Sequence, residues 1–132
     1  MIHAKIYNPH VHFKIIEGWW NELGGTHLFD SVIPKLGYVV YDGGIVCAAS
    51  FVAIDNAKGM CIQLFSIASP SISPKKKIDS LDYLDGVIAS LVKDLGYTHI
   101  FKISSSKELI KHSKKRGFQE LEFGATILVK EL

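Results

Sequence analysis

Apolar residues at Ile16, Trp19, Trp20 and Leu23 fall at the i, i+3, i+4, i+7 spacing of a helix that buries one face. Asn8 and Pro9 upstream supply an N-cap and a first helical residue, and Gly24 and Gly25 end the run. Residues 3–7 before it read as a short strand. The pattern then shifts to strands. Residues 37–41 and 45–54 are rich in β-branched and aromatic side chains, with Asp42-Gly43 between them as a hairpin signal. After a turn over 55–59, a third strand covers 60–68; its weak alternation implies burial on both faces.

The segment 69–74 (SPSISP) is a loop, and the strongest helical pattern of the chain follows it. Leu81, Leu84, Val87, Ile88, Leu91, Val92 and Leu95 share one broad face, and Gly96 is the stop. Residues 97–103 form the next strand. Ser105 and Glu108 have capping-box spacing and open a short helix through Arg116 that Gly117 terminates. Leu121, Phe123, Ala125, Ile127 and Val129 then alternate in a final long strand. The order β-α-β-β-β-α-β-α-β defines an α+β fold with a central mixed sheet and helices on both faces. A right-handed crossover makes strands 60–68 and 97–103 parallel.

At 132 residues the chain fits a single domain over 1–132. Its apolar runs are far shorter than the roughly 20 residues of a membrane span. Three histidines, Pro9 and Glu17 among the first twenty residues do not make a secretory signal. Cys47 and Cys61 form neither a disulfide framework nor a metal knuckle, so a reducing, cytoplasmic setting is expected. A net charge of +2 does not mark the whole chain as a nucleic-acid binder, but the cations cluster. Lys75, Lys76 and Lys77 form one group; Lys107, Lys111, Lys114, Lys115 and Arg116 form another.

The first group matters because of its place. With Ser73 as cap and Pro74 as opening residue, the three lysines occupy the first turn of the long helix. Cations there oppose the helix dipole at about 0.3–1 kcal/mol each, a penalty that a bound phosphate reverses. The plain alternative is a solvated patch. His10 and His12 would stand about 200° apart on a helix, a poor geometry for one metal, so no metal site is expected. Trp19 and Trp20 read as core or as the wall of a cleft, and the cysteines as small apolar packing. A Cys61–His99 nucleophilic pair has no spacing to support it.

The element order, the strand–loop–helix over 67–95 and the LIKHSKKRGF segment ending in Gly117-Phe118 resemble the GNAT superfamily of acyl-CoA-dependent N-acyltransferases. The short length and Trp19-Trp20 also resemble small phage-encoded members. The resemblance implies acetyl-CoA as co-substrate and a small-molecule or protein amine as acceptor, with direct attack of the amine on the thioester. It implies coenzyme contacts at Phe65, Ser66, Ile67, Lys75, Lys76, Lys77, Ile78 and Ser80, with an oxyanion donor among the backbone N–H groups near Phe65 to Ile67. It places Ser113 where the family often has the tyrosine that protonates the departing thiolate, beside His112. Glu17 and Asp30, with Glu22 and His27, lie in the segment that usually shapes the acceptor pocket and are the candidate bases. The diphosphate-loop motif is degenerate: counting from Pro74, Lys77 takes the basic position, while Ser80 and Asp82 take the glycine positions. Asp82 and Ser113 therefore motivate a second reading, a catalytically inactive interaction module. Its stretch from Lys107 to Arg116 would meet an acidic partner or nucleic-acid phosphates.

Overall fold

Strand pairing follows from where the turns fall. The computed structural model describes residues 1–25, 33–55, 57, 59–103, 107–121 and 130. Strands β1 (Ile2–Ile6), β2 (Gly37–Asp42), β3 (Ile45–Ile54), β4 (Cys61–Ala68) and β5 (Phe101–Lys102) form a five-stranded sheet in that order. Neighbours run antiparallel from β1 to β4, and β5 is parallel to β4, so the sheet is mixed. Gly43 and Gly44 take φ of 60° and 83° between β2 and β3, the pair of positive values that a two-residue hairpin turn demands. The turn therefore sits one residue later than Asp42-Gly43.

Helix α1 (Pro9–Glu22) begins where Asn8 accepts the His10 N–H at 3.0 Å. Helix α2 (Pro74–Asp94) crosses from β4 to β5, and α3 (Lys107–Lys115) follows β5. Because side chains alternate along a strand, adjacent residues of β2 and β3 serve opposite faces. Val39, Ala49 and Phe51 pack with Tyr7, Ile16 and Trp19 on the α1 side. Val40 and Ala48 pack with Leu81 and Leu84, and Val52 with Ile88 and Val92, on the α2 side. Each fully buried side chain of this size contributes about 1.5–3 kcal/mol. Helices thus cover both faces, as the periodicity implies.

The fifth strand is shorter than the span 97–103. The Tyr97 N–H bonds the Val92 carbonyl to finish α2, and the Tyr97 hydroxyl donates to the Asp55 carbonyl. Thr98 Oγ1 and His99 Nδ1 bond each other at 2.9 Å. These groups serve the helix end, and pairing with β4 begins only at Phe101. Ser105 of the capping box, His27, Asp30 and the final strand beyond Leu121 lie outside the described residues.

Candidate active site

The pairing of β3 with β4 is interrupted next to a small space between α2 and α3. Ala49 pairs with Ile67 and Phe51 with Leu64, so Phe65 and Ser66 together oppose Ser50 in a β-bulge. Phe65 has φ of 54°, the one positive value of a non-glycine residue among those described. Such a conformation costs about 1–3 kcal/mol and persists where surrounding structure enforces it. On the other side of β4, the β5 pairing stops: Ile62 pairs with Phe101, Gln63 with Lys102, and the Ile103 N–H reaches the Gln63 carbonyl at 3.4 Å. From Leu64 onward β4 has no strand partner on that edge among the described residues. An extended polar chain with amide groups can pair there.

A buried polar chain lies under the bulge, on the α2 side. Asp85 of α2 is held by Lys102 of β5, whose Nζ lies 3.0 Å from each carboxylate oxygen. The same ammonium reaches Ser113 Oγ of α3 at 3.1 Å. Gln63 Nε2 donates to Asp85 Oδ1 at 2.8 Å and to Ser50 Oγ at 2.9 Å, and Ser50 Oγ lies 2.7 Å from Ser66 Oγ. The Asp85 and Lys102 side chains are only 9% and 7% exposed, so neither charge is shared with water. The ion pair is tied on both sides, Lys102 to Ser113 and Asp85 to Gln63, while Gln63 Oε1 is buried with no partner among the described residues. Ser66, Lys102, Ser113, His112, Asp82 and Asp85 are among the residues around a small space of about 10 Å³ between α2 and α3. That is room for about one water-sized atom.

The start of α2 is less electropositive than its sequence. Ser73 caps the helix, its Oγ accepting the Lys76 N–H at 3.2 Å. Lys75 pairs with Asp79 at 2.9 Å and Lys76 with Asp42 at 2.9 Å. These carboxylates push both lysines above their ordinary range, and the Lys76 and N-terminal ammonium groups hold Asp42 below its own. Lys77, half-buried, has no ion pair among the described residues. Ile78 is half-buried beside the small space.

Other candidates separate cleanly. Ser80 is fully buried with no partner for its hydroxyl among the described residues, so its side chain sits in the core. Ser113 is buried and paired with Lys102, joining it to Ser66 around one space. Asp82 does not block the helix mouth: it faces Arg116, with Nε 3.6 Å from Oδ1. Glu17 pairs with Lys14 at 3.4 Å on the exposed side of α1. Trp19 is core, whereas Trp20 meets the bulge, its ring 6.2 Å from that of Phe65. His12 is buried and bonded to the Asn8 N–H and the Tyr41 hydroxyl, and no group of three metal-ligating residues occurs among those described. Cys61 is buried, with its thiol pushed up by burial. Among the described residues no helix is long and apolar enough to cross a membrane.

Sequence reasoning passed over Gln63, Asp85 and Lys102. A signal existed: Asp85 lies four residues after Leu81 and three before Ile88, a carboxylate on the apolar stripe of α2.

No protein-family model and no curated protein matches this chain. Solved structures do match, from end to end. A probable acetyltransferase of meticillin-resistant Staphylococcus aureus (SA2161) is 11% identical, with full coverage of both chains and a TM-score of 0.74. A GNAT-family acetyltransferase of Streptococcus pneumoniae (SP0256) is 14% identical over all of this chain and 98% of its own, with a TM-score of 0.72. The aminoglycoside acetyltransferase AAC(6')-Iy, bound to a CoA-linked bisubstrate analogue, is 14% identical over 100% of this chain and 99% of its own, at a TM-score of 0.68. The fold is therefore that of the GNAT acetyltransferases.

Proposed function

We propose that this chain is an N-acyltransferase that moves an acetyl or related acyl group from acyl-CoA to an amine. One observation carries the reading: β4 bulges at Phe65–Ser66 and parts from β5, within a fold shared end to end with acetyltransferases. The edge of β4 after Gln63, without a strand partner among the described residues, fits the amide-bearing arm of the coenzyme, with Phe65, Ser66 and Ile67 offering main-chain groups. Lys77 fits the phosphates, joined by Lys75 and Lys76 when their carboxylate partners give way, and Ile78 lies further along α2 beside the small space. The thioester supplies an activated acyl carbon. Around it, a backbone N–H of the bulge stabilises charge developing on the carbonyl oxygen, and Ser113 serves the departing sulfur. The candidate base for the amine's proton is Glu17 or Asp30, both in the sequence segment that the resemblance assigns to the acceptor pocket.

The acceptor class is an amine, small or on a protein. Thiol release from acetyl-CoA should rise above the amine-free rate for at least one member of a panel of aminoglycosides, polyamines and peptides. Flat rates across the panel, with no binding of acetyl-CoA, would leave the coenzyme-free interaction role. The matching of Lys75 and Lys76 by carboxylates supports that second reading. Binding of an acidic peptide or of nucleic acid that weakens steeply with salt would then identify the partner.

A further inference from the structure

Hydrogen-bond polarity in the buried chain is fixed by two groups that can only donate. An ammonium has three donors and no acceptor. Among the described residues the three polar contacts of Lys102 Nζ are the two oxygens of Asp85 and Ser113 Oγ, so Ser113 must accept. Its own hydrogen is left to point elsewhere. The same logic runs through Gln63. A carboxylate ion-paired to Lys102 only accepts, so the Gln63 atom 2.8 Å from Asp85 is the amide nitrogen, whose second hydrogen goes to Ser50 Oγ. Ser50 is fully buried, and its remaining partner among the described residues is Ser66, so Ser50 donates to Ser66. Ser66 accepts and, like Ser113, keeps a hydrogen to give. Both hydroxyls border the same space, with room for about one atom.

We propose that Ser66 and Ser113 form a pair of one-way O–H donors for a thiolate sulfur, with Lys102, Gln63 and Asp85 as the positioning residues that set their direction. The inference rests on the acyltransferase reading and deepens it. During transfer the amine nitrogen bonds the acyl carbon, and the carbon–sulfur bond breaks with its electron pair going to sulfur. The two hydroxyls receive that charge; the proton the amine loses balances the one that finally joins the sulfur. A serine alone is a weak acid, but a serine hydrogen-bonded to a buried ammonium is a stronger donor. This arrangement supplies what a tyrosine would otherwise supply.

The test uses CoA and acetyl-CoA, which share every phosphate and differ at sulfur. Calorimetric affinities for both are measured from pH 7 to 9.5, and their ratio isolates the thiolate. In the wild type the preference for CoA should grow about tenfold over this range. Ser66→Ala and Ser113→Ala should each leave about a threefold rise. The paired variant Asp85→Leu/Lys102→Met, which removes both buried charges together and so spares the fold, should do the same. Serine variants that keep the full tenfold rise, or a flat wild-type ratio with acetyl-CoA still bound, overturn the donor pair alone. A wild type that binds neither ligand overturns the acyltransferase reading and the donor pair with it.

Discussion

The two faces of the sheet handle buried polarity in opposite ways. On the α1 side, His12 Nδ1 accepts the Asn8 N–H at 2.9 Å and so is unprotonated; Nε2 then donates to the Tyr41 hydroxyl at 2.8 Å. The chain is short, ties the start of α1 to β2, and ends on a ring stacked against His3 and beneath Lys5. On the α2 side, the chain from Lys102 and Gln63 runs through two strands and two helices and ends on two hydroxyl hydrogens facing one space. The first arrangement ends on one half-buried hydroxyl beside the exposed His3 and Lys5. The second brings two hydroxyl hydrogens to one small space, which gains nothing for stability and makes sense at a site.

Several substitutions separate these two uses of polarity. Lys102→Met strands a buried carboxylate and should cost about 3–5 kcal/mol in urea unfolding, whereas Asp85→Leu/Lys102→Met should recover most of the loss. A single variant as stable as the wild type would mean that Asp85 is solvated. Ile16→Ala, in the apolar packing under α1, should cost about 3 kcal/mol and leave coenzyme affinity unchanged. The His12 imidazole sits below its ordinary value of 6.5, through burial first and the charge of Lys5 second. The unfolded chain therefore takes up the proton first, so this contribution is whole above that pH and drains as pH falls below it. Unfolding midpoints between pH 8 and 5 should show the decline, and His12→Gln should flatten it; equal slopes would remove His12 from the account. The smallest effect is at the α2 cap, where Ser73→Ala should cost about 1 kcal/mol by melting.

Much of this architecture is written in local pattern. The α1 and α2 stripes and the Asn8 and Ser73 caps are decided by neighbours within a few residues and appear where the spacing puts them, while the hairpin turn falls one residue later than Asp42-Gly43. The fifth strand was overread because Tyr97 looks like a strand residue, while its N–H and hydroxyl are taken by Val92 and Asp55. The site was legible only in part. Ser66 and Ser113 were marked through a family resemblance, but their partners Lys102, Gln63 and Asp85 come together from β5, β4 and α2. No short-range rule joins them. The charge balance at the three lysines is hidden from local pattern for a similar reason: Asp42, which pairs with Lys76, arrives from the hairpin.

The most direct measurement is calorimetric titration of the protein with acetyl-CoA at neutral pH. A polyphosphate ligand seated between the bulged strand and the start of α2 predicts saturable one-to-one heat, with a Kd of about 10–100 μM, and a several-fold loss in Lys77→Ala. No heat at millimolar ligand would contradict the account at its root, leaving a GNAT scaffold with another use.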